Sequence, residues 1–527
     1  MNRRLRNGLI SCVAIATALS CADAPIETSA KSPSEAFSQP GTTTLGKSAA
    51  PISAGHDGDS AFLLMDRGRD AFSWRAILAA AAEKSIDAQY FLWKDDVAGK
   101  VMMQRLMAAA DRGVRVRVLI DDSMTDSDPQ YLAVFGAYPN IEVRLYKPFG
   151  PKNASKVLRW VDYVADLKVL NHRMHNKMYI VDGSVAIIGG RNIGSEYFEY
   201  PGPFVFRSRD LLAFGPVLEH AGHIFDLYWN SDWAVPIEDS VAPVPTVEQA
   251  REQKASLDLV AADPASYPPG FYDQPRSLED ELADLETKLH WGTGRLLVDA
   301  VPDRDGNAQT RAELDRTGVV LGRVAAESTD EMYVQSAYLI LLPETMQGLG
   351  DMTARGVEVY LATNSMAADN HLSAYVAYRK QRKQLLEHGA RVYEMRPDAA
   401  EERALFTAQQ LEENDMSFGL HAKTMVFDRR ITFVGSFNLD PRSVDLNSEM
   451  GLLVESESLA NAVADSIERD IAAGNSWQVI LNDDGAQEWI TVEDGVVTFV
   501  SQEEPMTTAV QRAEADALEV VPDASQM

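Results

Sequence analysis

The stretch His175–Asn192, HNKMYIVDGSVAIIGGRN, combines polar residues at fixed spacing with two short apolar runs. The β-branched and aromatic run Met178–Val181 predicts a strand, so His175 and Lys177, two positions apart, are expected to share one face. Asp182-Gly183 predicts a hairpin turn, and the apolar run after it predicts the returning strand. A single His-x-Lys pair is more often surface decoration, so this stretch by itself does not define a site.

A second stretch of the same design, His421–Asn438, HAKTMVFDRRITFVGSFN, follows 246 positions later (421 minus 175). The same offset relates three further pairs of polar residues: Lys177 and Lys423, Asp182 and Asp428, Asn192 and Asn438. Agreement at four polar positions, and in the apolar pattern between them, indicates an internal duplication. We refer to the two stretches as the first and the second motif.

The elements predicted around the two motifs repeat in the same order. The first half has predicted strands at 86–92, 114–120 and 141–146 and helices at 71–84 and 99–110; the second has strands at 332–339, 357–362 and 390–395 and a helix at 345–354. Strands that alternate with helices favour a parallel sheet. We therefore predict an α/β fold of two pseudo-twofold related halves, each a mostly parallel sheet flanked by helices, sharing one central cleft.

His-x-Lys-x4-Asp followed by Gly-[Gly/Ser]-x-Asn, present twice in one chain, resembles the phospholipase D superfamily. The segments GGRNIGSEYF (189–198), LHAKTMVFD (420–428) and GSFNLDPRSVDLNSEMG (435–451) are similar to the bacterial cardiolipin synthase C subgroup. The likeness runs from about residue 62 to about residue 505. It implies an enzyme, a phosphatidyltransferase that forms cardiolipin from phosphatidylglycerol and a second phospholipid, such as phosphatidylethanolamine, through a phosphohistidine intermediate.

The residue types of the motifs suit phosphodiester chemistry without a cofactor. One neutral imidazole can attack phosphorus while a second, protonated imidazole donates to the leaving alkoxide. Lys177 and Lys423 can stabilise charge on the non-bridging oxygens, and Asn192 and Asn438 add amide donors there. The sequence offers no clear carboxylate cage and no Cys-rich or His-rich spacing for a metal.

Spacing does not show which histidine attacks. The resemblance implies His175 as the nucleophile and His421 as the general acid and base. Asp210 and Glu449 occupy similar places in the two repeats, and each is predicted to hold an imidazole tautomer through the other ring nitrogen.

Three further positions near the motifs are candidates for supporting roles. Asp182 and Asp428 are predicted to orient or salt-bridge neighbouring groups rather than to contact phosphate, although Asp182 also fits a simple turn. Ser436 replaces Gly190 of the first motif, so the two halves are not equivalent there, and Ser436 is a candidate phosphate contact.

Composition limits the substrates. Lys+Arg 49 against Asp+Glu 78 gives a formal charge of −29, which repels nucleic acid and weakens adsorption to an anionic membrane.

The competing hypotheses are a phospholipase D that hydrolyses phospholipids to phosphatidic acid, a nuclease, and a non-catalytic lipid-binding lipoprotein. The sequence leaves open whether a small protein partner is needed.

The N-terminus predicts export. Three arginines precede an apolar run at residues 9–19, too short to span a bilayer, and Ala18–Cys21 (ALSC) resembles a bacterial lipoprotein site with Cys21 lipidated. Cleavage without lipidation and an uncleaved anchor are the alternatives. We expect an envelope protein that faces the periplasm and a membrane surface, and Cys12 and Cys21 leave no disulfide for the mature chain.

The predicted divisions of the chain are a leader (1–21), a flexible tether (22–58), the first half (59–230), a Pro-rich and acidic connector (231–292), the second half (293–475) and C-terminal strands with an acidic tail (476–527). The connector is interpreted as a solvated linker with a short helix or as a lid over the cleft.

Overall fold

A computed structural model describes residues 31–53, 55–56, 58–122, 129–148, 172–271, 285, 287–301 and 316–519. The predicted leader and Cys21 lie outside the described residues. The strands of the first half are β1 (Ser60–Met65), β2 (Ser85–Tyr90), β3 (Arg115–Asp121), β4 (Ile141–Tyr146), β5 (Met178–Val181), β6 (Val185–Gly189), β7 (Phe204–Arg207), β8 (Asp210–Phe214) and β9 (Ala234–Pro236). Helices described before the second half are α1 (Thr44–Ser53), α2 (Gly68–Ala81), α3 (Val97–Asp111), α4 (Pro129–Gly136), α5 (Ala221–Trp229) and α6 (Val247–Ala262).

The second half repeats this arrangement and extends it. Its strands are β10 (His290–Val298), β11 (Glu331–Ser336), β12 (Glu358–Asn364), β13 (Arg391–Met395), β14 (Ser417–Leu420), β15 (Lys423–Phe427), β16 (Ile431–Gly435), β17 (Met450–Glu455), β18 (Ser476–Leu481), β19 (Gln487–Glu493) and β20 (Val496–Ser501). Its described helices are α7 (Thr317–Glu327), α8 (Pro343–Ala354), α9 (Leu372–Glu387), α10 (Ala400–Arg403), α11 (Ala408–Glu413), α12 (Pro441–Asp445), α13 (Glu457–Asp470) and α14 (Ala509–Glu519).

Each half contains a mixed sheet, not the mostly parallel one predicted. Only β2–β3–β4 and β11–β12–β13 run parallel within it. The strands after each motif return through tight hairpins and therefore pair antiparallel, as in β5–β6–β8–β1 and β15–β16–β17–β10. The sequence-based prediction included the helical crossovers between parallel strands but too few of the antiparallel hairpins.

The duplication is visible in the backbone at the offset found in the sequence. After β2, the N–H of Lys94 donates to the carbonyl of Ile193 at 2.9 Å; after β11, the N–H of Ile340 donates to the carbonyl of Leu439 at 2.7 Å. Both donors and both acceptors are separated by 246 positions. The two halves therefore share local backbone geometry as well as element order.

The halves are joined in three ways. β1 pairs antiparallel with β10, which makes one continuous sheet, and β7 pairs in parallel with β14. A central core contains side chains from both halves, including residues of α5 and α13, between the outer cores under α2 and α3 on one side and α8 and α9 on the other. This shared core places the two motifs near the centre of the molecule.

The described part of the predicted tether lies against the first half. The N–H of Ala36 donates to Asp226 at 2.7 Å, and Arg117 donates to the carbonyl and hydroxyl oxygens of Ser34 at 3.1 and 3.0 Å. α1 follows, where no helix was predicted. The prediction of a flexible segment is therefore wrong for residues 31–53, because specific hydrogen bonds fix a stretch that has no hydrophobic period.

The predicted connector is also part of the first half over residues 234–262. β9 pairs with β4 at the sheet edge, and α6, begun by a capping box of Thr246 and Gln249, buries Ala250 and Leu257. The described helix is neither a solvated linker nor a lid, since one face is packed.

The C-terminal region extends the second half beyond residue 475. β18 pairs with β13 and carries β19 and β20. The residues predicted as an acidic tail include α14, where Glu519 accepts from Arg379 of α9 at 3.2 Å and Ala515 is buried. Opposite charges and one apolar contact explain why this acidic segment is packed. No described helix is long and apolar enough to cross a membrane.

Candidate active site

The first motif enters β5 through a loop that the opposite half holds. The N–H of His175 donates to the carbonyl oxygen of Ser448 at 2.9 Å, and Met174 forms an isolated parallel bridge with the same serine. The ammonium group of Lys177 donates to the carbonyl of His175 at 2.6 Å. A residue of the second half therefore positions the His-x-Lys pair of the first.

The second motif is held in the same way. β14 ends at Leu420, and the N–H of His421 then donates to the carbonyl of Arg207, at the end of β7, at 2.7 Å. The ammonium group of Lys423 donates to the carbonyl of His421 at 2.7 Å. Each pair thus depends on the backbone of the other half, which brings both pairs to one place.

The two histidines and two lysines form one buried cluster. Each histidine is 8% exposed and each lysine 1%. Burial, and then the charges of both lysines, lower the pKa of His175 and that of His421 well below the usual value. Burial also lowers the pKa of Lys177 to about 7, and that of Lys423 well below its usual range. The free site therefore disfavours positive charge that a bound phosphate anion would stabilise.

Glu449 is fully buried and holds His175. Its Oε2 lies 2.8 Å from His175 Nδ1 and accepts from the Ser436 hydroxyl at 2.5 Å, while its Oε1 accepts from the Ser443 hydroxyl at 2.8 Å. Burial raises the pKa of Glu449 to about 7. The predicted contact between Glu449 and an imidazole is present, and it crosses from the second half to the first.

Asp210 does not hold His421, contrary to the prediction. Its carboxylate lies 3.0 Å from the guanidinium of Arg75 and 3.5 Å from that of Arg191, and it accepts the backbone N–H of Arg191 at 3.1 Å. Two buried cations outcompete a neutral imidazole for this carboxylate. Within the described part of the chain, Nδ1 of His421 is buried without a hydrogen-bond partner.

The side chains predicted to contact phosphate are bound to neighbouring protein groups to different extents. Ser436 donates its hydroxyl hydrogen to Glu449 and accepts from the N–H of Met450 at 3.0 Å, so the prediction that it contacts phosphate is corrected to a support of Glu449. The side-chain amide of Asn192 donates to the hydroxyl of Tyr197 at 3.1 Å. The amide oxygens of Asn192 and Asn438 are both buried without a partner among the described residues, but an amide oxygen only accepts hydrogen bonds and so cannot bind phosphate oxygens.

The aspartates of the two motifs lie away from the histidines and bind backbone. Asp182 accepts from the N–H groups of residues 83, 84 and 85 at 2.7–3.0 Å, just where β2 begins. Asp428 accepts from those of residues 329, 330 and 331, at the start of β11. Both also have positive φ, 51° and 50°, as hairpin turns require. Both aspartates therefore orient the starts of neighbouring strands. The alternative prediction, that they form salt bridges, is wrong.

Among the side chains that the structure describes, no group of three or more His, Cys, Asp or Glu residues is placed to hold a metal ion. The arrangement that is present, two imidazoles with two ammonium groups, can supply a nucleophile, a proton donor and anion stabilisation at one phosphorus atom.

Comparison with known proteins gives the family. The family described as "Cardiolipin synthase, PLD-like domain" matches residues 76–202 and 323–471, one segment in each half. Cardiolipin synthase C of Escherichia coli is 32% identical over 482 residues, covering 91% of this chain and 98% of that protein. The chain belongs to the cardiolipin synthase family of phospholipase D-like proteins. It is therefore a phospholipase D-type phosphatidyltransferase.

Two further proteins are similar to this chain. An uncharacterized protein of Helicobacter pylori is 30% identical over 458 residues, covering 87% of this chain and 88% of that one. The crystal structure of phosphatidylserine synthase from Haemophilus influenzae superposes with a TM-score of 0.51 at 14% identity, covering 80% of this chain and 90% of that one. At that identity the likeness concerns the fold alone, and it supports two phospholipase D-like halves.

Several residues around the site of this cardiolipin synthase-like enzyme were not predicted from the sequence. The ring of Phe91 lies 5.0 Å from that of His175, and the rings of Tyr197 and Phe206 lie 5.0 and 4.9 Å from that of His421. Ser443 binds Glu449. One available signal was the 246-residue offset, because Tyr197 and Ser443 both lie five positions after a motif asparagine.

Proposed function

We propose that this enzyme transfers a phosphatidyl group from one phospholipid to the glycerol headgroup of phosphatidylglycerol, which yields cardiolipin. The observation that carries the proposal is the buried cluster of His175, Lys177, His421 and Lys423, with Glu449 on one imidazole only. The likeness over nearly the full length of Escherichia coli cardiolipin synthase C supports cardiolipin as the product. Phosphatidylethanolamine is a second candidate donor.

In the first step His175 Nε2 attacks phosphorus. Its Nδ1–H donates to Glu449, which leaves the lone pair of Nε2 free and stabilises the positive charge that forms on the ring. An N–P bond forms and the P–O bond to the headgroup breaks. The leaving oxygen takes a proton from His421, which is protonated in the substrate complex because the phosphate anion offsets the two lysine charges.

In the second step the roles reverse. His421, now neutral, takes the proton of a headgroup hydroxyl of phosphatidylglycerol, whose oxygen attacks phosphorus while the N–P bond breaks. Lys177 and Lys423 stabilise the non-bridging oxygens in both steps. The side-chain amide of Asn192 has two N–H groups, so one can donate to phosphate while the other keeps its bond to Tyr197, and the amide of Asn438 supplies a further neutral donor.

The test is incubation with phosphatidylglycerol and phosphatidylethanolamine in mixed micelles, with products read by lipid mass spectrometry. We expect cardiolipin from the wild type and none from His175→Ala. His220→Ala, an exposed histidine outside the cluster, is the matched control and keeps activity. Phosphatidic acid as the only product assigns hydrolysis instead, and equal activity in His175→Ala rejects catalysis by this site.

The intermediate has its own test. A phosphatidyl ester of nitrophenol needs no acid to release its leaving group, so His421→Ala should still release one equivalent and retain a phosphatidyl group on His175. Mass spectrometry of the intact protein and of its peptides would detect the added group. Retention on His421 of a His175→Ala variant contradicts the proposed order of roles.

We also propose that the enzyme is an exported envelope protein anchored through Cys21 with its site towards a membrane. The basic and apolar leader motivates this location, and a lipid anchor supplies the membrane attachment that a net charge of −29 disfavours. Metabolic labelling with a fatty acid tests it in cells. Label on the wild type and its loss in Cys21→Ser support the anchor, whereas label on neither removes it.

A further inference from the structure

The fifth position after each motif asparagine supports a histidine, but with different chemistry in the two halves. Position 197 is tyrosine and position 443 is serine, separated by the 246-residue offset. Tyr197 is 5% exposed and Ser443 2%. Both lie in short helical turns directly after the motif, Ser195–Tyr197 and α12.

Ser443 supports His175 through a carboxylate. Its hydroxyl donates to Oε1 of Glu449 at 2.8 Å and accepts from the N–H of Asn438 at 3.3 Å, while Oε2 of the same glutamate holds His175 at 2.8 Å. The chain of contacts runs from motif asparagine to serine, glutamate and the histidine of the other half. Glu449 fixes both the tautomer and the plane of the imidazole.

Tyr197 supports His421 through its ring. The two rings are 5.0 Å apart and nearly perpendicular, at 76°, and Phe206 completes the enclosure with its ring 4.9 Å from the imidazole and 5.1 Å from Tyr197. The Tyr197 hydroxyl accepts from Asn192, and its carbonyl oxygen accepts from Arg191 at 3.1 Å. These bonds fix the tyrosine at both ends.

No carboxylate performs this role for His421 among the described residues. Asp210, the first-half carboxylate predicted for this role, is engaged by Arg75 and Arg191. Nδ1 of His421 is buried without a partner in the described chain. The orientation of this imidazole therefore depends on aromatic packing and on the backbone bond to Arg207.

We infer that Tyr197 is the positioning residue of His421, and that Ser443, its counterpart, is the positioning residue of His175 acting through Glu449. Expressed in the steps of the proposed function, on which this part rests, Ser443 acts on formation of the phosphohistidine. Tyr197 acts on proton transfer by His421, and so on the step in which the intermediate is consumed.

The kinetic test uses the nitrophenyl ester, whose first step needs no acid. Tyr197→Leu should release the first equivalent at the wild-type rate, consume the intermediate about 10-fold or more slowly, and accumulate phosphohistidine. Tyr197→Phe, which keeps the ring but not the Asn192 bond, should lie much closer to the wild type. Ser443→Ala, the matched control, should instead slow the first release and accumulate nothing.

A second readout is independent of the proposed reaction. In protein labelled at the Cε1 of its nine histidines, Tyr197→Leu should move the NMR signal of His421, assigned with His421→Gln, and leave that of His175 in place. Ser443→Ala should do the reverse. Tyr197→Met, which also removes the ring but keeps more of the side-chain length, replaces the leucine variant if that variant fails to fold.

Three results overturn the inference. The first is a His421 signal that Tyr197→Leu leaves unchanged, and the second is a Tyr197→Leu variant that slows release and consumption equally, as a general loss of structure would. The third is a Ser443→Ala variant with the same kinetic signature as Tyr197→Leu. If the wild type forms no phosphohistidine, the proposed function fails, and the NMR shifts alone decide the positioning roles.

Discussion

The two histidines and two lysines place four basic groups at one point, an arrangement suited to bind an anion. Burial makes the charged form of each lysine unfavourable, and each imidazole lies near both ammonium groups. Sites arranged for charge that arrives with the substrate reduce the stability of the folded chain. Single residues of this cluster should therefore affect stability and activity in opposite directions.

Lys177→Met should abolish transfer and raise the free energy of unfolding, by roughly 2 kcal/mol at pH 7. Because the folded pKa of Lys177, about 7, lies below its usual 10.5, the wild type gains stability as pH rises between these values, and the gain disappears as pH falls through the folded pKa. Urea unfolding at pH 7 and at pH 10 measures this. A gain that is larger at pH 10 than at pH 7 contradicts the account.

Glu449→Gln should keep the shape of the site and slow formation of the phosphohistidine about 10²–10⁴-fold, because an amide cannot stabilise the charge that forms on His175. Stability should change in a defined way. The folded pKa of Glu449 is raised to about 7, so its contribution is present at low pH and is lost as pH rises through 7. The variant should lack that decline in urea unfolding between pH 5 and 8.

Among single residues, the sequence identified those whose type is the same in both motifs. The histidines, lysines and asparagines were found because their types repeat at one offset. The partner of Asp210 was not, since Arg75 lies 135 positions away on another element. The offset itself places Ser456, not Glu449, at the position of Asp210 (210 plus 246), so the two carboxylates could have been distinguished before the structure was known.

The two hairpins that carry the lysines are tied to their neighbouring strands by one aspartate each. Asp182 is fully buried and accepts three backbone hydrogen bonds. Asp428 accepts three from the corresponding residues of the second half, but its side chain is partly exposed. Burial works against the ionised form of Asp428, but the backbone donors hold its pKa below the usual value. The same device therefore has different strength in the two halves.

Asp182→Ala should lower the free energy of unfolding by about 3 kcal/mol, since it leaves buried N–H groups without acceptors, and Asp428→Ala by about 1 kcal/mol. Activity per folded molecule should survive in both, because neither side chain contacts the histidines. The contribution of Asp428 is present above pH 3.8 and lost as pH falls through its lowered pKa, so the Asp428→Ala penalty should vanish in acid. Equal losses in both variants contradict the dependence on burial.

The elements that carry the site were predicted within a few residues, since they have regular hydrophobic periods. Residues 31–53 and 234–262 were assigned wrongly, because hydrogen bonds such as that of Ala36 to Asp226 leave no period in a sequence. The mixed sheet was missed for a related reason. Pairing direction depends on where a returning strand inserts, and β8 inserts between β6 and β1.

We expect the two halves to unfold as one unit rather than as two domains on a hinge. Besides the continuous sheet, a buried ionic network crosses between them. Arg207 and Arg209 of the first half bind Asp470 of α13 at 2.9 and 2.6 Å, and both also bind Asp66. The backbone carbonyl of Arg207 is the group that receives His421. This network therefore couples the stability of the interface to the geometry of the site.

Asp470→Ala should lower the free energy of unfolding by about 3–5 kcal/mol, because it leaves two buried guanidinium groups undercompensated. Unfolding should remain a single transition by circular dichroism and by tryptophan fluorescence, since the halves share a core. Asp465→Ala removes an exposed pair on the same helix and should cost less than about 1 kcal/mol. Two separated transitions in the wild type contradict a single unit.

The exchange of backbone contacts, in which each half holds the histidine of the other, has an evolutionary consequence. The same reciprocal backbone contacts can form between two separate copies of one shorter chain. In such a symmetric dimer, however, every substitution changes both copies of the site at once. Fusion of the copies into one gene removes that restriction, and each side becomes free to drift. Gly190 and Ser436, or Tyr197 and Ser443, record such divergence within a pair that began as equals.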